Sequence, residues 1–273
     1  LVNCRFLDNG NGNVNVDSDH FGGAVGIQNG KIRIVDCEFA RNTYHDSGSN
    51  VRPLGGAVGM TGDANSSILI RNCSFSKNWT RSVHARASGG GAIGFRNVPS
   101  VRVENCTFDG NYARTWGSGG DLHGGGQPGP YGGVAHISGV ARAEFSDCLF
   151  RTNWLAEGRL GVFVGNGGLI YLTGSTLVMN RCASYMAGYS GYASNTGVGN
   201  YSCGDISVRD GSSLYMTNVL LGATYNGYAI ANDGGRVEAV NCTIAGTKGF
   251  TTYRTSHAYI QNSGSASFRN CIL

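Results

Sequence analysis

The chain has 273 residues, of which 41% are hydrophobic, 10% aromatic and 14% charged, and its formal net charge is +4 at pH 7. This composition excludes a disordered chain and predicts one elongated, ordered domain over residues 1–273. The basic residues are scattered rather than gathered into a stripe, which argues against a nucleic-acid partner. The sequence also lacks the run of about 18 apolar residues that a membrane-spanning helix needs.

One short motif recurs along the whole chain: Asn or Asp, then Cys, then any residue, then an apolar residue. Nine copies can be aligned, at residues 3–6, 36–39, 72–75, 105–108, 147–150, 174–177, 218–221, 241–244 and 270–273. Cysteine fills the second position in seven copies, at Cys4, Cys37, Cys73, Cys106, Cys148, Cys242 and Cys271. Ser175 and Val219 fill it in the other two. Such a repeat predicts units that stack on one another.

Each copy has the pattern of two short strands. Apolar residues lie seven and five positions before the last residue of the motif, as at Ile68 and Ile70, or at Ile170 and Leu172 in the sixth copy. The residue between them is mostly polar, which is the alternation of a strand with one buried face. The alternation shifts by one residue at the Asn or Asp. A bend is therefore expected there, before a second strand that buries Cys and Phe.

A Gly-Gly-Ala-Val sequence predicts a third strand. It occurs at residues 22–25 and 55–58, with variants at 90–93 and 132–135, and its glycines permit a tight corner. Three strands per copy predict an all-β fold, a right-handed parallel β-helix solenoid of about eight coils with Asn and Cys ladders. A β-propeller has a comparable repeat length but needs four antiparallel strands per blade. An α-solenoid needs a helical period, which this sequence lacks.

The copies of the repeat differ in length mainly at one loop position, which lies between the closing Asn of one copy and the Gly-Gly of the next. Insertions are expected at residues 10–21, 43–54, 79–89 and 112–131, and a further loop insertion at 181–203. The chain begins and stops within copies of the motif, without polar capping segments. Because uncapped coils would expose strand edges, we expect the sequence to be a segment of a longer polypeptide.

The cysteine column is predicted to pack in the core, because Ser and Val replace Cys there. Cys182 and Cys203 differ, since they bracket residues 183–202. A disulfide between them would close this loop, stabilise the fold by about 3 kcal/mol and indicate an oxidising, extracellular compartment. Two free thiols are the alternative.

Two columns of asparagine accompany the cysteines. One precedes Cys, and the other lies three residues after the Phe, at Asn9, Asn42, Asn78, Asn111, Asn153 and Asn180. Asn adopts left-handed backbone angles and can form amide ladders, so both columns are predicted to build corners. The glycosylation triplets headed by Asn72, Asn105 and Asn241 are then expected to face inward. Asn65 and Asn200, in turns or loops, are the better acceptors in a secretory pathway.

The paired motifs Gly55-Gly56-Ala57-Val58 and Phe75-Ser76-Lys77-Asn78 resemble the repeats of the chlamydial polymorphic membrane proteins, over about residues 1–180. This resemblance implies a β-helical surface passenger domain associated with adhesion. The predicted fold is also similar to that of the pectin-lyase-like enzymes. The Asn-Thr-Asp, Asp-Asp and Gly-His-Gly signatures of the hydrolases among them are missing from this sequence.

No residue set predicts a catalytic, cofactor or metal site. Hydrolysis of a polysaccharide needs paired carboxylates that face one cleft. The outward strand positions instead mix charges, at Arg33, Arg102, Glu144 and Glu238. We expect them to form a solvated face. The turn with Asp17 and Asp19 is a weak candidate for a cation, and His123 and His136 have no evident catalytic partner.

Aromatic residues follow the closing Asn of successive copies, at Tyr44, Trp79, Tyr112 and Trp154. Because copies stack, these side chains are expected to line one edge of the solenoid as a candidate binding surface. Exposed rings would stack on sugars or dock a protein. Rings covered by the adjoining insertions would instead pack against these loops and bind no ligand. The burial of the tryptophans therefore distinguishes a binding surface from loop packing.

The sequence therefore predicts a non-enzymatic, extracellular or cell-surface β-helix module, structural or adhesive, within a larger protein. Its expected partners are other domains of the same chain and protein or glycan ligands, bound through loops such as 112–131 and 181–203. One alternative is a lyase or hydrolase that acts on an acidic polysaccharide. The other is a subunit of a filament.

Overall fold

The chain folds into stacked coils whose strands form four parallel sheets. A computed structural model describes residues 1–14, 21–46, 54–82, 89–115, 131–157, 167–190, 204–222, 228–245, 258–261 and 264–273. Equivalent strands of neighbouring coils pair in register, as Phe75 does with Phe108. The predicted all-β parallel solenoid is therefore confirmed.

We number the four sheets I to IV in the order in which the chain passes through them from β3 (Val25–Gln28) onwards. Sheet I has eight strands: β3 (Val25–Gln28), β7 (Val58–Thr61), β11 (Ile93–Arg96), β15 (Ala135–Ser138), β19 (Ile170–Thr173), β23 (Gly204–Arg209), β26 (Tyr228–Asp233) and β29 (Ala258–Gln261). Sheet II also has eight: β4 (Lys31–Val35), β8 (Ser67–Arg71), β12 (Ser100–Glu104), β16 (Arg142–Ser146), β20 (Thr176–Asn180), β24 (Ser213–Thr217), β27 (Arg236–Val240) and β30 (Ser265–Arg269).

Sheet III contains the Cys-x-Phe part of the motif. Its eight strands are β1 (Arg5–Leu7), β5 (Glu38–Ala40), β9 (Ser74–Ser76), β13 (Thr107–Asp109), β17 (Leu149–Arg151), β21 (Ala183–Tyr185), β25 (Leu220–Gly222) and β28 (Thr243–Ala245). Sheet IV has six strands: β2 (Gly10–Val14), β6 (Thr43–Asp46), β10 (Trp79–Ser82), β14 (Tyr112–Thr115), β18 (Trp154–Glu157) and β22 (Gly188–Ser190).

Sheet IV corrects the prediction of three strands per coil. Its strands begin directly after the closing Asn, in stretches that were expected to be insertions. The first residues of these stretches include Thr43, Trp79 and Tyr112, which are residue types that favour strands, and they pair across coils in register. The middle of each of these insertions lies outside the described residues, whereas the last residues, Phe21, Leu54, Gly89 and Tyr131, are described and pair across coils.

The bend before sheet III is built as predicted. The Asn or Asp before Cys has a left-handed backbone in eight coils, with φ between 49° and 55° at Asn3, Asp36, Asn72, Asn105, Asp147, Asn218, Asn241 and Asn270. These residue types adopt that conformation at the lowest cost after Gly. Their side chains are exposed rather than inward, which corrects the orientation expected for Asn72, Asn105 and Asn241.

The sixth copy of the motif was misaligned. The residue in register with Leu149 is Ala183, so the sixth bend is Arg181, with φ 50°, and the sixth cysteine is Cys182. It follows Cys148 by 34 residues, close to the spacing of 33 between Cys4 and Cys37, whereas Ser175 follows Cys148 by 27 residues. Ile170 and Leu172 accordingly belong to sheet I, and Val219 is the one substitution in the column among the described coils.

A continuous apolar core fills the solenoid between the sheets. Its most regular part is a column in sheet III, where the rings of Phe6, Phe39, Phe75, Phe108 and Phe150 stack with centroids 4.8, 4.8, 4.9 and 5.2 Å apart. Stacked rings follow from strands about 4.8 Å apart in register. The next position of this column is Ser184, which is fully buried.

The closing asparagines form a buried amide ladder between sheets III and IV. The Asn111 side chain accepts hydrogen bonds from the backbone N–H and the amide of Asn78, at 3.0 and 2.9 Å, and donates to Phe75 O and Asn153 Oδ1. The left-handed residue at this corner is the one before the Asn, as at Lys77. This column therefore supplies hydrogen bonds rather than backbone angles. Asn180 lies outside it, at the end of β20.

The predicted Gly-Gly corner lies just before the strands of sheet I. Its second position must be glycine, because a side chain there would clash with the neighbouring backbone. A Cβ on Gly56 would lie 2.1 Å from Gly91 O and 2.7 Å from the backbone of Trp79. The first glycine of the pair has positive φ, 78° at Gly55. This corner brings sheet I against the start of sheet IV.

Candidate functional site: an aromatic and basic face on sheet IV

Two columns of large side chains share the outer face of sheet IV. The first column contains Thr43, Trp79, Tyr112 and Trp154, which are in register on neighbouring strands. The second, two residues further along each strand, contains His45, Arg81 and Arg114. Residues two apart on a strand point to the same side. We call these seven residues the sheet IV face.

The rings of the first column stack on one another. The centroids of Trp79 and Tyr112 are 5.5 Å apart with ring planes 4° from parallel, and those of Tyr112 and Trp154 are 5.0 Å apart at 37°. All three side chains are half-buried. The inner ring faces are therefore covered by neighbouring rings, and the column presents ring edges along most of its length.

Trp154 is the exception, because it ends the column. The residue in register with it on β22 is Gly188, which has no side chain to cover the outer face of the indole from that strand. A flat apolar ring face of this kind stacks well on the C–H face of a sugar or on another ring.

The second column is made of basic side chains, one histidine and two arginines. Loss of water contact and the nearby Arg81 lower the pKa of the His45 imidazole, and the same two causes lower the pKa of the Arg114 guanidinium. Burial raises the pKa of the Tyr112 phenol, against the opposing effect of Arg114 and Arg81. Arg81 is thus close enough to His45 and to Arg114 to oppose a positive charge on each of them.

Tyr44 does not belong to this face, which corrects one of the four predicted residues. It is in register with Thr80 rather than with Trp79, so its side chain points to the inner side of the strand, where it is buried. The sequence could not separate the two positions, because Thr43 and Tyr44 are both typical strand residues that follow Asn42. The register of sheet IV decides between them. Arg81 and Arg114 were missed, although their two-residue spacing from Trp79 and Tyr112 is visible in the sequence.

His136 lies in a ring cluster on the outer face of sheet I. Its imidazole is 5.2 Å from the ring of Tyr131 and 5.4 Å from that of Tyr171, and these two phenols stack at 4.1 Å. His136 and Tyr171 are buried, and burial raises the pKa of Tyr171 well above its usual value. A phenol with a raised pKa is a poor base at neutral pH. We interpret the cluster as packing.

Three arginines of sheet II form surface ion pairs with glutamates of the same sheet. Arg102 bonds Glu104, Arg142 bonds Glu144 at 2.5 Å, and Arg236 bonds Glu238. These carboxylates each lie beside an arginine on the same strand rather than facing a second carboxylate across a cleft. In the part of the chain that the structure describes, no group of three His, Cys, Asp or Glu side chains is placed to bind a metal. Asp17, Asp19 and His123 lie outside that part.

A second candidate surface is an open groove of about 490 Å³ along the bend between sheets II and III. Its polar groups bond mainly to each other. The Asn105 amide donates to Asn72 Oδ1 at 3.0 Å, the Asn72 amide donates to Asp36 Oδ1 at 2.9 Å, and Arg5 pairs with Glu38. This self-contained bonding makes the groove a weaker candidate than the sheet IV face.

The predicted modification sites are placed in part. Asn65 is exposed in a turn whose backbone N–H groups bond Asp63 and Ser66; its glycosylation stays a prediction. Cys182 is a buried free thiol in the core column, where it donates to carbonyls of Phe145 and Asn180. Residues 183–190 of the predicted insertion are part of β21, β22 and their bend. Cys203 and Asn200 lie outside the described residues, so the disulfide also stays a prediction.

Comparison with known proteins identifies no relative: no protein-family model, no curated protein and no solved structure matches the chain. The resemblance to the chlamydial polymorphic membrane proteins and to pectin-lyase-like proteins therefore stays a prediction beyond the parallel solenoid itself. Among the residues placed in the structure, none forms a helix of the length and apolar character that crosses a membrane.

Proposed function

We propose that this protein is a non-enzymatic, extracellular, glycan-binding solenoid, and that it binds sugar chains through the sheet IV face. The observation that carries this proposal is the stacked column of Trp79, Tyr112 and Trp154, which ends at Trp154 because its register partner Gly188 has no side chain to stack on the indole. Half-buried aromatic rings beside hydrogen-bond donors are the usual components of a sugar site.

The column is fixed in place before a ligand arrives. Each aromatic residue directly follows a ladder asparagine, and its backbone N–H bonds the preceding ladder residue, as Trp154 N does to Asn111 O at 3.1 Å. The neighbouring strands pair in register over three or four residues. A site on such a scaffold orders few groups on binding, which favours affinity.

Binding to an array of purified glycans tests the proposal. We expect the protein to retain specific glycans, and Trp154→Ala to weaken that binding by about tenfold or more, because a buried aromatic contact is typically worth over 1 kcal/mol. Tyr185→Ala is the matched control, since Tyr185 is an exposed aromatic residue on sheet III. An array on which the protein binds nothing, or equal losses in the two variants, would contradict the proposed function.

A further inference from the structure

Three bend residues between sheets II and III head an Asn-x-Ser/Thr triplet, which is the acceptor sequence for N-linked glycans. Each is followed by a cysteine of the core column and then by a hydroxyl residue: Asn72 by Ser74, Asn105 by Thr107 and Asn241 by Thr243. Because Asn and Cys belong to the repeat, a coil with Asn at the bend acquires the triplet whenever the residue after Cys carries a hydroxyl.

The left-handed backbone of the bend residue turns the two reactive positions of the triplet outward. Asn105, with φ 49°, is exposed, whereas Cys106 is buried in the core and Thr107 is exposed again. Asn105 and Thr107 line the open groove along this bend, and so do Asn72 and Ser74 of the preceding coil. The acceptor amide and the hydroxyl of each triplet therefore face the same solvent-filled space, where an attached sugar can be accommodated.

The acceptor atom of each triplet, the amide Nδ2, has a hydrogen to spare. An Asn amide carries two hydrogens, and glycosylation replaces one of them. Nδ2 of Asn105 donates one bond to Asn72 Oδ1 at 3.0 Å, and Nδ2 of Asn72 donates one bond to Asp36 Oδ1 at 2.9 Å. Among the described residues, the Asn241 amide donates no hydrogen bond and accepts one from Asn270. A glycan can thus be attached at all three without loss of a bond of the bend.

A fourth triplet, Asn78-Trp79-Thr80, has the same acceptor sequence in a different environment. The Asn78 side chain is fully buried in the amide ladder, and its Nδ2 donates to both Phe39 O and Asn111 Oδ1 at 2.9 Å. Both amide hydrogens are in use. A chain glycosylated there would lose a buried hydrogen bond and would have to place a sugar inside the core, so it is expected not to fold.

We propose that the bend between sheets II and III is an N-glycosylated edge of the solenoid, with glycans on Asn241 and on the Asn72–Asn105 pair. This inference goes beyond the proposed function, from which it takes only the passage through a secretory pathway. In the transfer, Nδ2 bonds to C1 of the first sugar of a lipid-diphosphate-linked oligosaccharide, the N–H and C1–O bonds break, and the proton leaves with the lipid diphosphate. Sheet III separates these attachment points from the sheet IV face.

Secretion of the intact chain from cultured mammalian cells tests the inference, with one further Asn-x-Thr triplet in a C-terminal tag as the internal standard. Peptide-N-glycosidase in isotope-labelled water converts each glycosylated Asn to a labelled Asp, and mass spectrometry then gives the occupancy of every triplet. We expect Asn241 to be glycosylated, together with one or both of Asn72 and Asn105, whose attachment points lie about 4.8 Å apart on neighbouring coils. Asn78 should be unmodified in the secreted protein.

Matched variants assign each glycan to its triplet. Thr243→Ala removes the hydroxyl that the triplet needs and keeps Asn241 at the bend, so the glycan should be lost from Asn241 alone. Ser76→Ala is the control, because Ser76 is a half-buried hydroxyl residue of the same sheet that belongs to no triplet. It should leave every occupancy unchanged.

Two results would overturn the inference. The first is a glycosylated tag on a chain in which Asn241, or both Asn72 and Asn105, are unmodified. The second is an occupancy of Asn78 equal to that of Asn241, because exposure would then play no part in the choice of acceptor. The glycan array and the Trp154 variant test the sheet IV face alone. Their failure would overturn the proposed function and leave the glycosylated edge standing, and the reverse also holds.

Discussion

The amide ladder makes a quantitative prediction for Asn111→Ala. Asn111 is fully buried, and its side chain takes part in four hydrogen bonds of 2.9–3.0 Å. Removal of the amide leaves the Asn78 backbone N–H without its acceptor, whereas the Asn78 amide still donates to Phe39 O and Asn153 Oδ1 still accepts from the Asn111 backbone. A buried orphan group costs about 1–3 kcal/mol. With the lost bonds to Phe75 and Asn153, we expect the free energy of unfolding to fall by about 2–4 kcal/mol.

Asn9→Ala is the control with the same chemical change. Asn9 lies at the first position of the ladder and is exposed, and its side chain donates one hydrogen bond, to Asn42 Oδ1 at 2.9 Å. Its loss should cost at most about 1 kcal/mol. Urea unfolding gives both values, and hydrogen exchange of the Asn78 amide reports the local effect, because solenoids can open coil by coil. Equal losses in the two variants would refute the role of buried amide bonding.

Four further outcomes follow from other residues. Thr80→Val and Ser184→Ala should each stabilise the fold by about 1 kcal/mol in urea unfolding, because both hydroxyls are buried without a hydrogen-bond partner. Gly56→Ala should destabilise it by about 1–3 kcal/mol, since the new Cβ meets backbone at 2.1 Å, whereas Gly222→Ala, with its nearest contact at 3.6 Å, should change little. Arg81→Gln should raise the pKa of His45 in an NMR titration, because one cause of its lowering is removed; an unchanged pKa would place the two groups too far apart. Mass spectrometry without reductant should show loss of both thiol hydrogens from Cys182 and Cys203 if they pair, and two intact thiols would contradict the predicted disulfide.

The sequence predicted the parts of the fold that repeat at fixed spacing. Three motifs mark the two bends and the strands of sheets I to III: Asn before Cys, Phe two residues after Cys, and Gly-Gly before Ala. Asn and Gly adopt backbone conformations that most other residues avoid, and Phe fills the core. The sequence places the sixth copy of the motif at the wrong residues. Gly174 and Ser175 resemble the bend residue and the small core residue of the motif, whereas the sixth bend is at Arg181. Arginine carries no local preference for a left-handed backbone, so only the register with Asp147 and Asn218 reveals it.

The candidate site was predicted less completely than the fold. The sequence identified Trp79, Tyr112 and Trp154 by their distance from the closing Asn, but it placed Trp79 and Tyr112 in insertions and predicted no sheet for any of the three. Once sheet IV is known to be paired, the alternation of its strands assigns Tyr44 to the inner side and brings Arg81 and Arg114 beside the rings. Long-range pairing, which no local pattern encodes, therefore defined the basic half of the site.

Three columns of side chains change at the same coil boundary, and the proposed site lies at this boundary. The Phe stack passes from Phe150 to Ser184, the amide ladder from Asn153 to Ala187, and the aromatic column from Trp154 to Gly188. Each change replaces a side chain that bonds or stacks on its neighbour by one that cannot. Up to this boundary the ladders align the sheet IV strands firmly, and at the boundary the last ring loses its stacking partner. The end of the ladders thus leaves Trp154 as the last ring of an ordered column, with no side chain of Gly188 stacked on its indole, and the proposed sugar site depends on this arrangement.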